Sequence, residues 1–257
     1  MIRGIYTGTM GMLIDMATMD TISNNLANVD TIGFKKDTPV FKTYLKENIY
    51  MMDRKYHPVK PVKFLGSLEQ ATILDEVRPS MTQGAVFNTG NQTDFAIDGE
   101  GFFVLRSPDG NIFYSRAGNF KVDEQNNLID ENGNFVLDNE GNIIRWNEEY
   151  TVDENGWVYN KNGERLFRLW IVEFPDPNKL EKYGYSLFTR TEESGVPVES
   201  FDSKVLQGFL ESSNVNALNE MVRMISAMRH FEIAQRVVTT EDQLLDKVIN
   251  NVGNVRG

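Results

Sequence analysis

The residues best suited to chemistry are carboxylates, and their densest run lies beside Asn and Gly in DEQNNLIDENGN at 123–134. Oxygen donors in that density suggest a calcium loop. An EF-hand loop requires glycine at its sixth position and glutamate at its twelfth, and these places hold Leu128 and Asn134. The segment therefore reads as hairpin turns. GEGFF at 99–103 lacks the third glycine, the following helix and the Lys-Ser/Thr pair of a phosphate loop, so it reads as a tight turn beside a buried strand. Glu148 with Glu149 and Glu192 with Glu193 are sequence neighbours, which on a strand point to opposite faces and cannot converge on a glycosidic bond. Cysteine is absent, and His57 and His230 are the only histidines. That removes thiolate zinc, disulfides and histidine-rich metal clusters, and it leaves a serine triad with almost nothing to build on. His230 sits beside Arg229 in a helical stretch, a surface or coiled-coil position. No catalytic, cofactor-binding or metal-binding residue is assigned, no cofactor is expected, and the chain does not read as an enzyme.

Charge narrows the partners. With 26 basic against 37 acidic side chains the net charge is -11, which repels a phosphate backbone, so nucleic acid is not expected. The opening MIRGIYTGTMGMLIDMATMD is interrupted by Asp15 and Asp20 and has no small-residue cleavage site, unlike a secretory signal. No run approaches the roughly 20 apolar residues of a membrane span, and no membrane insertion is expected. At 40% hydrophobic over 257 residues the chain has ample material for a packed core.

The elements that carry these residues fall into three parts. Ile2, Ile5, Tyr6, Met12, Leu13, Met16, Met19, Ile22 and Leu26 mark one stripe of a helix from about Arg3 to Ala27. Leu218, Met221, Ile225, Met228, Phe231, Ala234, Val238, Leu245, Val248 and Val252 mark a second, from about Val215 to Val252, with Ser212, Ser213 and Asn214 as N-cap candidates. Its length of about 55 Å needs a partner, and the first helix supplies one. The economical arrangement is a coiled coil, with Met12, Met19, Ile22, Leu218, Met221, Ile225 and Met228 as the expected seam. Two core helices of an ordinary globular domain remain the alternative. Between them, runs such as FAIDG, FFVLR, FRLWIVEF and YSLFTR alternate with Asp109-Gly110, Asn132-Gly133, Glu140-Gly141, Asn155-Gly156 and Asn162-Gly163, the pattern of hairpins. Residues 35–93, broken by Pro39, Pro58, Pro61 and Pro79, suggest an extended arm or irregular sheet edge. The expected fold class is α+β, with long N- and C-terminal helices pairing around an inserted, mainly antiparallel β domain. Its parts are an N-terminal helix at 1–33, the arm at 34–93, the β-rich domain at 94–205 and a C-terminal helix at 206–257.

Three stretches carry a resemblance: SNNLANVDTIGFK from Ser23, TDFAIDGEGFF at 93–103 followed by YSRAGNF at 114–120, and GFLESSNVNALNEMVRMI at 208–225. Together, and in this order, they resemble flagellar rod, hook and hook-associated proteins. The matching positions are Ser23, Asn24, Asn25, Leu26, Ala27, Asn28, Thr31, Gly33, Phe34 and Lys35 at one end. At the other they are Gly208, Leu210, Glu211, Ser213, Asn214, Val215 and Asn216. The resemblance implies a rod subunit of the basal body, outside the cytoplasmic membrane, polymerising helically with itself and neighbouring rod and hook proteins to transmit torque. It also implies export by the flagellum's own secretion apparatus. Chain length favours a rod protein of intermediate size, and IRGIYTGTMGM resembles the proximal type slightly more than the distal.

A secreted carbohydrate-binding or carbohydrate-cleaving β protein is the competing reading, and an exposed platform of Trp146, Trp157 and Trp170 would be its mark. A coiled-coil adaptor with a β module is a third. Charge is also uneven. Residues 35–63 carry eight basic against three acidic side chains, and residues 94–204 carry 11 against 22. A basic arm against a neighbour's acidic domain is therefore expected in a polymer.

Overall fold

The computed structural model describes residues 2–53, 60–201 and 203–253. Helix α1 (Ile2–Ala27) opens the chain, and two long strands, β1 (Asp37–Asp53) and β2 (Lys60–Pro79), follow as a two-stranded sheet. Then come β3 (Val86–Asn88), β4 (Phe95–Asp98), β5 (Phe102–Arg106) and β6 (Ile112–Ser115), a series of shorter strands ending with Phe209–Glu211, and helix α2 (Ala217–Gly253). The α+β class and both helix spans follow the sequence periodicities closely. The chain divides into two compact units: residues 1–24, 38–77 and 218–257 form one, and residues 25–37 and 78–217 the other.

In the helical unit, α1 and α2 touch and run antiparallel. A methyl group at Gly8 would sit 2.8 Å from Val238 Cγ2, Gly4 faces Glu241, and Asp15 feels the charge of His230, so rising numbers on α1 meet falling numbers on α2. Besides Ala217 and Arg223 near its start, the buried and half-buried positions on α2 are Glu220, Met224, Ala227, Phe231, Ala234, Val238, Glu241 and Leu245, alternating four and three residues apart. That is the spacing of a helix–helix seam. The expected seam residues divide. Met12 and Met19 are half-buried and Ile22 is buried, whereas Leu218, Met221, Ile225 and Met228 are 47–71% exposed in the single chain. The arm expected at 34–93 is in large part the paired β1 and β2, where Tyr50 and Phe64 meet edge to face at 5.7 Å and Lys42 pairs with Asp75. Of the eight basic residues behind the basic-arm expectation, Lys35 and Lys42 pair within the chain, with Glu211 and Asp75, while Lys46, Arg54, Lys55, Lys60 and Lys63 lie outside the described residues or have no described side chain.

The β unit is built around β5. It pairs antiparallel with β6, with Phe135–Val136 and with Ile171–Glu173. Alternation along FFVL sends Phe103 and Leu105 into a core with Phe95, Trp146 and Val205. Phe102 and Val104 enter a second core with Leu180, Phe174 and Phe188. A strand buried on both faces is why this run reads as continuously apolar. The hairpin turns replace the calcium reading: Asp130 Oδ1 accepts from the backbone N–H groups of Asn132 and Asn134 at 2.8 Å each, while Asn134 Nδ2 donates to Oδ2. Asp123 holds Gln125 and Asn127 in the same manner. Both carboxylates are thus occupied by N–H donors. The tryptophan platform does not form, because Trp146 is 3% exposed, Trp170 packs on the second core and Trp157 lies beneath the Arg165 guanidinium.

Candidate functional site

The two Asn-rich motifs, nearly two hundred residues apart, meet in the β unit. Gly33 starts the joint. Its φ of +65° and its contact with the Ala117 backbone, which a side chain would overlap, leave room for glycine alone. Its N–H donates to the Glu211 carbonyl at 2.8 Å, which sets the two segments side by side. Phe34 follows, 1% exposed, with the Lys182 ammonium 3.7 Å from its ring centre.

Asparagine side chains act here as pieces of backbone. Asn25 is fully buried; its Nδ2 donates to the Asp37 carbonyl at 2.8 Å and its Oδ1 accepts from the Asp37 N–H at 2.7 Å. Asn214 does the same from the other motif. Its Oδ1 accepts from Lys36 N–H at 2.7 Å, and its Nδ2 reaches the carbonyls of Ser80 at 2.8 Å and Thr82 at 2.9 Å. Both side chains pair with backbone N–H and C=O groups of the segments beside them, as a neighbouring strand would. Removing either costs more than one ordinary hydrogen bond.

At the centre lies a buried ionic cluster. Lys35 Nζ sits 2.6 Å from Glu211 Oε1 and donates to the Thr82 carbonyl at 2.9 Å, with side-chain exposures of 1% and 0% for the ion pair. Gly84 N–H donates to the same carboxylate oxygen at 2.7 Å. Arg116 NH1 approaches Glu211 Oε2 at 3.7 Å, donates to the Gly99 carbonyl at 2.8 Å and stacks on Phe102. Burial pushes the Lys35 ammonium down from its ordinary range while Glu211 opposes the shift, and burial acts likewise on Arg116. Breaking such a pair from one side typically costs about 3–5 kcal/mol, because the remaining charge stays buried. The arrangement has no nucleophile–base pair and no converging acids. Its chemistry is fastening.

The remaining motif residues arrange around this centre. Asn28 is buried and accepts from the Thr31 hydroxyl at 3.2 Å; Leu26 is half-buried, and Ser23, Asn24 and Ala27 are exposed at the end of α1. Gly208 accepts from Thr89 and Gly90 and donates to Asp94, while Leu210 is paired opposite Phe87 in β3. Ser213 accepts from Val215 N–H at 3.3 Å, Val215 is buried and Asn216 is exposed. Lys35, a matching position of the first motif, is joined by Arg116, Thr82 and Lys182, which complete the joint without having been singled out. Lys35 and Arg116 stand inside the quoted GFK and YSRAGNF stretches, so their signal was present.

Two terminal helices flanking an antiparallel β domain, with their chain ends fastened by these motifs, define a class of axial flagellar proteins, and comparison with known proteins agrees. The chain matches "Flagella basal body rod protein" over residues 5–35, "Flagellar hook protein FlgE/F/G D1 domain" over 96–160 and "Flagellar basal body rod FlgEFG protein C-terminal" over 206–251. It is 32% identical to the flagellar basal-body rod protein FlgG of Buchnera aphidicola subsp. Acyrthosiphon pisum, covering 96% of this chain and 99% of that one. For FlgG of Borreliella burgdorferi the values are 34%, 98% and 99%, and for FlgG of Bacillus subtilis 30%, 97% and 99%. The chain belongs to the flagellar basal-body rod protein family. It is a structural subunit of the flagellar rod, located in the basal body, and the family is not one of enzymes. Among the described residues no helix is long and apolar enough to cross a membrane. The relatives do not decide between the proximal and distal types.

Proposed function

We propose that the subunit polymerises helically through its two terminal helices, which pair as a coiled coil, and that the polymer transmits torque along the rod. The observation that carries this reading is the double apolar character of α2. One face is occupied within the chain by α1, while Leu218, Met221, Val222, Ile225 and Met228 remain about half or more exposed on the other side. An exposed apolar stripe of this extent belongs against a partner. In a rod subunit that partner is the helix of a neighbouring copy, and the expected seam residues of α2 then serve contacts between subunits. Association with other rod and hook proteins through the same helices, and export through the flagellar secretion apparatus, accompany this reading.

The test is a truncation beginning at Asn25, which keeps the joint whole. The shortened chain should remain a folded, soluble β unit and form no filaments by electron microscopy at high concentration. Ordered tubes from that truncation would refute the role given to α1.

A further inference from the structure

Turns of the β unit enclose an open cavity of about 600 Å³ whose floor reaches the motif residues Asn28 and Thr31 but none of the charged residues of the joint. It is lined on one side by Tyr183 and Tyr185, and on the other by Asp109 and Asn111 from one turn and Glu131 and Asn132 from another. The volume falls within the ordinary range of small-ligand sites.

The chemistry of the walls is selective. Tyr183 is 59% exposed and its ring stacks on buried Phe113 at 4.9 Å and 22°, so one face is fixed by the protein and the other is open. Tyr185, two residues on, is 67% exposed. Rigid aromatic rings with a polar tip offer apolar contact at small entropic cost. Asp109, Asn111 and Asn132 are exposed, with side chains that make no hydrogen bond among the described residues, and they supply both donors and acceptors. No basic side chain lines the cavity; Lys121 reaches Glu131 at 3.8 Å with both side chains largely exposed. Two lining carboxylates, of which only Glu131 has a cation nearby, disfavour phosphates and uronic acids.

From these features we infer that the cavity binds a neutral oligosaccharide, whose apolar ring faces stack on Tyr183 and Tyr185 while its hydroxyl or acetamido groups meet Asp109, Asn111 and Asn132. The inference goes beyond the rod reading and does not depend on it. A cationic segment of a neighbouring subunit is the competing occupant, since an acidic aromatic groove attracts one as well.

Saturation-transfer NMR on the full-length protein distinguishes them, with chitotetraose as the neutral probe and tetralysine as the cationic one. The wild-type chain should transfer magnetisation to chitotetraose, and Tyr185→Ala should weaken binding about tenfold with no change in melting temperature. Tyr183→Ala should do the same, and Asn111→Ala should weaken it about fivefold, the worth of one hydrogen bond. Absence of transfer in the wild type, or equal binding by Tyr185→Ala, would overturn the proposal. So would tetralysine binding in place of the sugar, or loss of self-association in both tyrosine variants without any sugar binding.

Discussion

The β unit and the helical unit solve the same problem differently. In the β unit, β5 is covered on both faces, and buried Lys35, Glu211 and Asn25 and half-buried Asn214 all find partners inside one chain. In the helical unit, α2 presents Leu218 at 71%, Ile225 at 52% and Ile249 at 65% exposure. A helix of this length with an unmatched apolar side gains stability from packing more than from propensity. One unit is therefore complete alone, and the other keeps an apolar side uncovered in the single chain.

The strongest way to break this contrast is Glu211→Gln. It leaves Lys35 and Arg116 as buried cations, and the β unit should lose about 3–5 kcal/mol in denaturant melts. A double variant, Lys35→Met with Glu211→Leu, should recover a large part of that loss, because it removes charge and counter-charge together. An additive double-mutant cycle would show that the two residues do not act as a pair.

Ile225→Asp should have the opposite profile. The single chain, in which Ile225 is half exposed, should melt as before, whereas sedimentation should show polymerisation abolished. Asn214→Ala comes next. It strands the Lys36 N–H and the Ser80 carbonyl, for about 2–3 kcal/mol in the β unit, and it should leave the helical signal of the unit formed by α1 and α2 unchanged.

The smallest effect concerns Asp15 on α1. Burial pushes its carboxyl up from the usual range, and the charge of His230 opposes that. The folded state thus holds this proton more tightly than the unfolded chain. Its contribution is fully present below the ordinary carboxylate range and is lost as pH rises through the raised value. Asp15→Asn should flatten that part of the acid dependence of helix melting followed by circular dichroism.

The sequence made the helices legible because their apolar residues repeat every three to four positions, and the strands because turn pairs punctuate them. It did not reveal which side of α2 meets α1. The side that packs carries Met224, Phe231, Val238 and Leu245 together with Ala227 and Ala234, whose small side chains allow close approach beside Gly8. The exposed side carries Leu218, Met221, Ile225 and Met228. The apolar stripe read from the sequence therefore ran over both sides, since Phe231, Ala234, Val238 and Leu245 pack while Leu218, Met221, Ile225 and Met228 are exposed. The ionic centre was hidden for another reason. Lys35 opens a run of basic residues that reads as surface, and Glu211 lies 176 residues away, a separation across which no periodicity connects them. The asparagines were legible as motif positions, but their role as substitute backbone depends on which strands lie beside them.

Hydrogen–deuterium exchange, followed by mass spectrometry on dilute subunit and on assembled polymer, tests the contrast most directly. Peptides covering β4, β5 and residues 203–214 should be protected equally in both states, while those of α1 and α2 should become strongly protected only in the polymer. Helices already protected to the same degree in the dilute subunit would contradict the account.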